Sequence, residues 1–473
     1  MSALPMTTNA AAPPAILPRS VAVLGFARSG RALTEALLDR GVAVSVGDSR
    51  PEGDFEGLDA LRRRGARGFF GGPPEEFLSG ADWLAISPGV SPDAPAVVAA
   101  RARGIPVLAE IEIAWRIAES EAPGENRWIA VTGTNGKSTT TTWIAEILKR
   151  AGRRVALAGN IGEPLSGFLS ESGGRDFVCE VSSFQLEAID RFRPHVAVLT
   201  NITPDHLDRY ASFSAYAAAK ARLFARQGPE DVAILNADDP ASRGISTRAR
   251  RVLFSRRGKP DGRGAWLEVD EILSDAAGPP HEVLPAELLA LPGAHNLENA
   301  LAALAAAECL GAPAEAIADT LTRFQGLPHR TELVAESFGV RWVDDSKGTN
   351  VDAAAKSLEG LVDGSVVLIL GGRDKHGDFP ALRDPVARKA RAVLTIGEAA
   401  ETIGAALAGA APLERCGTME KAVARAAALA RAGDTVLLSP ACASFDQYRS
   451  FEERGRHFAA LARQTVEGRR ETK

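Results

Sequence analysis

The 473-residue chain has only four cysteines, Cys179, Cys309, Cys416 and Cys442, with no C-x-x-C pair among them. That usage excludes a disulfide framework and a cysteine-built zinc site, and points to a reducing compartment. No basic tract is present and the formal net charge is -5, which argues against a nucleic-acid partner. No uncharged apolar run approaches the ~20 residues that a membrane helix needs. Residues 1–18 carry no Lys or Arg and are broken by Pro5, Pro13, Pro14 and Pro18. They read as a disordered tail, neither a signal peptide nor an anchor. Short solenoid-like repeats are also missing. What remains is a cytoplasmic globular protein, 45% hydrophobic and 24% charged, long enough for about three domains.

What is present centres on residues 128–149. An apolar run from Trp128 to Val131 gives way to Gly133-Thr-Asn-Gly-Lys-Ser138, then to apolar residues at helical spacing, Trp143, Ile144, Ile147 and Leu148. Strand, tight loop and helix in that order make a phosphate cradle. Glycines turn backbone N–H groups toward an anion, the helix N-terminus adds its dipole, and Lys137 neutralises charge. The hydroxyl of Ser138 or Thr139 is then available to Mg²⁺. Only Thr134 and Asn135 lie between Gly133 and Gly136, where a Walker A loop has four residues, so a generic ATPase does not match cleanly.

The flanking segments alternate strands and helices. Residues 20–25 and 42–46 begin a Rossmann-like unit, but Ala27 stands where a dinucleotide loop wants its middle glycine. Further strands at 83–90 and 105–108 complete a small parallel sheet, and residues 120–126 have linker composition. In the central region, strands end on polar residues: Asn160, then Glu180, then Asn201 to His206. Ligands of open α/β sheets bind beyond the carboxyl ends of strands, so these residues are expected near the phosphates. Glu180 is either an Mg²⁺ ligand or a capping or salt-bridged carboxylate; His206 is either a metal ligand or structural. His295, Asn296 and Asn299 open an alanine-rich helix, where Asn either caps or reads a nucleobase edge. Arg330 is a candidate phosphate contact. A third α/β region restarts at 340–343, with polar clusters after its strands at 344–350, 371–375 and 439–446, and three clusters at one sheet end suggest a second substrate site.

Together, Gly133 to Ser138, Glu180-Val-Ser-Ser-Phe-Gln185, Asn201 to His206, His295-Asn-Leu-Glu-Asn299, His329-Arg330 and Asp345-Ser-Lys-Gly-Thr-Asn350 resemble the Mur ligase family, over almost all of the chain after the tail. Those blocks are shared in part with folylpolyglutamate synthase. Gly371-Gly-Arg-Asp-Lys-His-Gly-Asp-Phe379, Leu438-Ser-Pro-Ala-Cys-Ala-Ser-Phe-Asp-Gln-Tyr448 and Phe451-Glu-Glu-Arg-Gly455 are similar to the family's D-glutamate-adding branch. The resemblance implies an α/β protein of three domains: a Rossmann-like UDP-substrate domain (19–120), a central P-loop ATPase-like domain (121–327) and a Rossmann-like amino-acid domain (328–473). It implies a monomeric enzyme acting on ATP, UDP-N-acetylmuramoyl-L-alanine and D-glutamate, with two Mg²⁺ ions and an acyl-phosphate intermediate.

By the same resemblance, Gly133, Thr134, Asn135, Gly136, Lys137, Ser138 and Thr139 hold ATP with Asn299, Arg330 and Asp345. Ser138 and Glu180 take one metal and His206 helps to hold the other. Ser29, Ser49, Arg50 and Ser87, with Asn160, face the UDP-sugar, and Thr349, Lys375, Ser444 and Phe451 bind D-glutamate. Lys220, which periodicity alone reads as a lysine on a solvated helix face, falls where the family carries a carbamylated lysine that adds an oxygen ligand beside His206. Lys137, His206 and Lys220 are the implied catalytic residues. Two other classes compete: an NAD-dependent oxidoreductase, which Ala27 and the Lys137 loop oppose, and an ATP-hydrolysing switch, which leaves the late clusters without a purpose.

Overall fold

The computed structural model describes residues 17–72, 75–171 and 173–471. Residues 1–16 of the expected tail lie outside them, and Leu17 and Pro18 lead into the first strand. Three sheets follow in chain order. The first joins β1 (Ser20–Leu24), β2 (Ala43–Asp48), β3 (Arg67–Phe70), β4 (Trp83–Ile86) and β5 (Val107–Ala109) in the order β3-β2-β1-β4-β5, all parallel. Strands buried on both faces must be apolar throughout, which is why Val21, Ala22, Val23 and Leu24 run without alternation.

The second sheet holds β6 (Arg127–Thr132), β7 (Val155–Gly159), β8 (Asp176–Glu180), β9 (Val196–Leu199), β10 (Val232–Asn236), β11 (Arg250–Ser255), β12 (Gly264–Glu268), β13 (Glu271–Ser274) and β14 (His281–Pro285). Its order is β14-β13-β12-β11-β10-β9-β6-β8-β7. β6 is therefore an interior strand, flanked in parallel by β8 and β9. Trp128 and Trp143 are wholly buried in this layer, and Trp128 stacks on Phe177 with ring centroids 4.4 Å apart. The antiparallel extension β12–β14 was not among the strands read from the sequence. The third sheet takes β15 (Glu332–Ser337), β16 (Val340–Asp344), β17 (Val366–Gly371), β18 (Ala390–Ile396), β19 (Leu413–Gly417) and β20 (Thr435–Leu438) in the order β15-β16-β20-β17-β18-β19, with only β15 antiparallel. Buried clusters on its two faces centre on Val367, Ile369 and Phe458, and on Val366, Leu368 and Leu382.

The chain divides into two compact units. One is Met1–Ile202, Ala217–Leu288 and Glu298–Thr322; the other is Thr203–Tyr216, Leu289–Leu297 and Arg323–Lys473. Among the described residues, no helix is long and apolar enough to cross a membrane.

Within the first unit, the helix Glu110–Glu121 joins the two sheets, and the stretch read as a linker at 120–126 shrinks to a short turn after it. The joint is polar and buried. Glu112, with no exposed surface, accepts the backbone N–H groups of Asp190 (3.0 Å), Arg191 (3.0 Å) and Phe192 (2.8 Å), and pairs with Arg116 at 2.6 Å. Glu110 accepts both the N–H and the hydroxyl of Ser166 at 2.7 Å; burial pushes its carboxyl up, and these two bonds oppose the shift. Glu112→Ala removes the acceptor of three backbone N–H groups and one of the two carboxylates that meet Arg116, so it should cost about 3 kcal/mol. Urea denaturation followed by tryptophan fluorescence should show an earlier transition; an unchanged midpoint would mean that water replaces the carboxylate there.

Candidate active site

The turn between β6 and the helix Lys137–Arg150 leaves no room for side chains at two points. A Cβ at Gly133 (φ +149°) would lie 1.9 Å from Thr200 Oγ1, and one at Gly136 (φ +80°) 2.0 Å from Asn299 Oδ1. The neighbouring strand end holds the turn. Thr134 N donates to Asn201 O (2.8 Å) and Asn135 N to Asn201 Oδ1 (3.0 Å), while Asn135 O accepts from Thr200 Oγ1 (2.6 Å) and Asn201 Nδ2 (3.1 Å). Lys137 Nζ donates to Gly133 O at 2.9 Å and to Thr134 O at 2.7 Å. Lys220 Nζ donates to that same Gly133 O at 2.8 Å. Lys220 is 1% exposed, so the solvated-face reading is overturned: its helix, Phe213–Ala221, turns this lysine toward the phosphate loop.

Glu180, at the end of β8, is 1% exposed. Its Oε2 accepts the hydroxyl of Ser138 and its Oε1 accepts Asn160 Nδ2 at 2.6 Å. Of the two hydroxyls the sequence offered, Ser138 is the one that meets the carboxylate. A hydroxyl and a carboxylate side by side at a helix N-terminus form the hard-oxygen donor set that Mg²⁺ takes. Asn299 reaches this group from the first turns of its helix, with Thr140 Oγ1 3.4 Å from its Oδ1.

Of the five residues expected to face a UDP-sugar, Ser29, Ser49, Arg50 and Ser87 follow the carboxyl ends of β1, β2 and β4, whereas Asn160 is bonded to Glu180. Arg50 pairs with Asp48 through both ends of its guanidinium, at 3.1 Å each, and lies over the Phe55 ring at 4.4 Å. Burial raises the Asp48 carboxyl, but Arg50 and the Phe26 N–H outweigh it and hold it below the usual range. Ser87 Oγ donates to Gly25 O at 2.8 Å.

The second unit carries the other candidates. His206, at φ +55°, adjoins Asp205, whose Oδ1 accepts Lys375 Nζ at 2.6 Å and whose Oδ2 accepts Asn350 Nδ2 at 3.0 Å. Burial pushes the Asp205 carboxyl up, yet Lys375 and His206 overcome it and set it at about 2. Thr349, Lys375 and Ser444 follow β16, β17 and β20, which are adjacent and parallel, so all three lie beyond one end of the sheet. Lys347 Nζ sits 4.3 Å above the ring of Phe451, whose carbonyl accepts the Ser346 hydroxyl at 2.8 Å. Asp345 is buried, and burial raises its carboxyl to about 6, against the pull of Ser357 Oγ (2.6 Å), Ser439 Oγ (2.7 Å) and Arg330. His295 is driven down to about 4 by burial and by Lys356.

Reading the sequence alone missed the work of Thr200, Asn201, Asp205 and Asn350. All four stand inside or beside motifs already singled out, so adjacency was the available signal, but their partners were not legible.

Comparisons with known proteins agree across the chain. Profiles of the Mur ligase MurD-like N-terminal domain, the Mur ligase middle domain and the Mur ligase glutamate ligase domain match residues 19–109, 131–307 and 329–442. A UDP-N-acetylmuramoylalanine--D-glutamate ligase from Pelotomaculum thermopropionicum is 45% identical over 94% of this chain and 97% of its own. Its counterpart from Acidobacterium capsulatum is 44% identical over 94% and 96%. Among solved structures, a pseudomurein peptide ligase type C from Methanothermus fervidus aligns with a TM-score of 0.60 at 19% identity, covering 95% of this chain and 99% of that one. A MurF ligase from Thermotoga maritima in complex with ADP aligns at 0.60 and 18% identity, covering 90% and 96%.

The Asp205–Lys375 pair yields a stability prediction. Asp205→Asn leaves a largely buried ammonium without its counter-charge and should cost about 3 kcal/mol at neutral pH. Because the carboxyl is lowered in the folded state, its contribution is complete above pH 3.8 and fades as pH falls toward about 2. Urea midpoints at pH 7 and pH 3 should therefore differ less between variant and wild type at the lower pH; a constant gap would mean that Asp205 acts through packing alone.

Proposed function

The chain belongs to the Mur ligase family, and from that premise we propose that it is the ATP-dependent ligase that adds D-glutamate to UDP-N-acetylmuramoyl-L-alanine, releasing ADP and phosphate in peptidoglycan precursor synthesis. The observation that carries this reading is a phosphate loop closed over Lys137 in a chain that also gathers Thr349, Lys375 and Ser444 beyond one end of its last sheet. The curated relatives' shared name, over nearly the full length of both chains, supplies the substrates. Residues 19–120, 121–327 and 328–473 are assigned to the UDP-substrate, ATP and amino-acid domains, in a cytoplasmic monomer.

The γ-phosphoryl group of ATP passes to the free carboxylate of the muramoyl-alanine, and the amine of D-glutamate displaces phosphate from the resulting acyl phosphate. This chemistry asks for positioning and charge neutralisation more than for covalent catalysis. Residues 133–139 cradle the phosphates, Lys137 by its charge and the helix start by its N–H groups, while the N–H groups of Thr134 and Asn135 hold the loop to Asn201; Asn299, Arg330 and Asp345 complete the nucleotide site. Ser138 and Glu180 would hold one Mg²⁺, and His206 and Lys220 would supply donors to a second; ions held there would neutralise phosphate charge. Ser29, Ser49, Arg50, Ser87 and Asn160 serve the UDP-sugar. Lys375, Thr349, Ser444 and Phe451 serve D-glutamate, Lys375 as the cation for a carboxylate.

A carbamate on Lys220 suits its surroundings. As an ammonium, Lys220 shares the Gly133 carbonyl with Lys137, and two like charges meet on one acceptor. As a carbamate it presents an anion to Lys137 and an oxygen donor to a hard cation.

Phosphate release with UDP-N-acetylmuramoyl-L-alanine should appear with D-glutamate and stay at background with L-glutamate, L-lysine or meso-diaminopimelate; equal rates with any of these would refute the assignment. Lys375→Ala should raise KM for D-glutamate at least about tenfold and that for ATP less than about twofold. Lys220→Ala should abolish ligation with the fold intact by circular dichroism, and short-chain carboxylates should restore part of it. Near-wild-type turnover of Lys220→Ala in CO₂-depleted buffer would sink the carbamate.

A further inference from the structure

The turn that carries Arg330 is strained on both sides. His329 and Thr331 hold φ of +62° and +49°, left-handed values that cost side chains of this kind on the order of 1–3 kcal/mol each. Such a turn persists only where its surroundings over-determine it. Here four hydrogen bonds do so. His329 Nδ1 lies 2.7 Å from Oδ2 of Asp344, a wholly buried carboxylate at the end of β16 whose other oxygen accepts Ser346 N at 2.8 Å. His329 N donates to Glu332 Oε2 at 2.8 Å, and His329 O accepts Lys347 N at 3.1 Å. The N–H of Thr331 bonds the Asp345 carboxylate, which also feels the charge of Arg330.

The imidazole is closely packed. A Cβ at Gly455 would lie 2.3 Å from His329 Nδ1 and 2.7 Å from Asp344 Oδ2, so the helix Phe451–Glu471 presses its backbone against the pair. The Phe451 ring meets the imidazole edge to face at 6.4 Å. His329, Glu332 and Asp344 do bring three ligand atoms within 4.8 Å of one another. Nδ1 is spent on Asp344 and Glu332 takes the backbone N–H of His329, so the cluster closes on the turn itself.

We infer that His329 is a positioning residue: clamped between Asp344 and Gly455, it holds the strained turn in the one conformation that presents Arg330 to the nucleotide. The inference rests on the assignment of Arg330 to ATP, and Gly455 is part of the same device. Replacing Gly455 disturbs the clamp while leaving His329 and Arg330 chemically unchanged.

The test is steady-state kinetics of R330A, H329A, H329N and G455A, with thermal melts of each. R330A should raise KM for ATP at least about tenfold, and H329A and G455A at least about fivefold, with KM for D-glutamate moved less than about twofold. H329N should recover most of the loss, because asparagine tolerates the left-handed conformation and its amide can donate to Asp344. If R330A leaves KM for ATP unchanged, the assignment of Arg330 fails and the inference falls with it. If R330A raises KM for ATP while H329A and G455A only lower the melting temperature, the assignment stands and the positioning role is overturned. A rise in the melting temperature of the wild type on adding Zn²⁺, absent in H329A, would assign the cluster to a cation and overturn the inference as well.

Discussion

Close approach of the backbone at residues 133 and 136 to the side chains of Thr200 and Asn299 is the constraint from which the phosphate site follows. With no Cβ at either position, the turn packs directly on Thr200 and Asn299, and its amides and carbonyls are distributed among Asn201, Thr200, Lys137 and Lys220. Any side chain at Gly133 would drive β6 and β9 apart at the point where their parallel pairing ends. Because β6 lies between β8 and β9, the same geometry delivers Glu180 from one neighbour and Asn201 from the other to a single loop. Sheet order here is a chemical statement: it selects which strand ends share a ligand.

Buried carboxylates organise the rest, and each is stabilised differently. Glu112 is met by three backbone N–H groups and a guanidinium, which makes it a joint between the first two sheets. Asp205 is met by an ammonium and an amide, and stays ionised far below the ordinary range in spite of its burial. Asp345 has hydroxyls for its nearest partners, and burial wins, carrying it to about 6. The contrast follows from the strength of the partner: a full positive charge at hydrogen-bond distance offsets desolvation, whereas two hydroxyl dipoles do not. Structural and candidate ligand-binding carboxylates are therefore distinguishable by what solvates them in place of water.

Strain gathers at the same places. Among the described residues, His206, His329, Thr331, His376 and Ala441 hold left-handed backbone without being glycine and lie in or beside the polar clusters of the second unit, whereas Val269 and Phe338 do so in the β12–β13 and β15–β16 turns. Their packing and hydrogen bonds maintain conformations that local preference would abandon, which keeps side chains such as Arg330 and Lys375 from relaxing onto the surface.

By itself the sequence determined the alternation of buried parallel strands and helices, the phosphate loop, and the late clusters whose motifs resemble a D-glutamate-adding ligase. These are local signals: apolar runs, glycines at a tight turn, and short blocks of polar residues after strands. Tertiary structure decided the partners. Lys375 finds Asp205 across 170 positions and Lys220 finds Gly133 across 87, distances over which no propensity or spacing operates. Lys220 shows the difference most plainly, since an alanine-rich helix reads as a solvated face until the fold turns that lysine inward. The β12–β14 extension was hidden for a related reason: its strands are only four or five residues long, and β12 finds its place by pairing with β11 at the edge of the parallel strands.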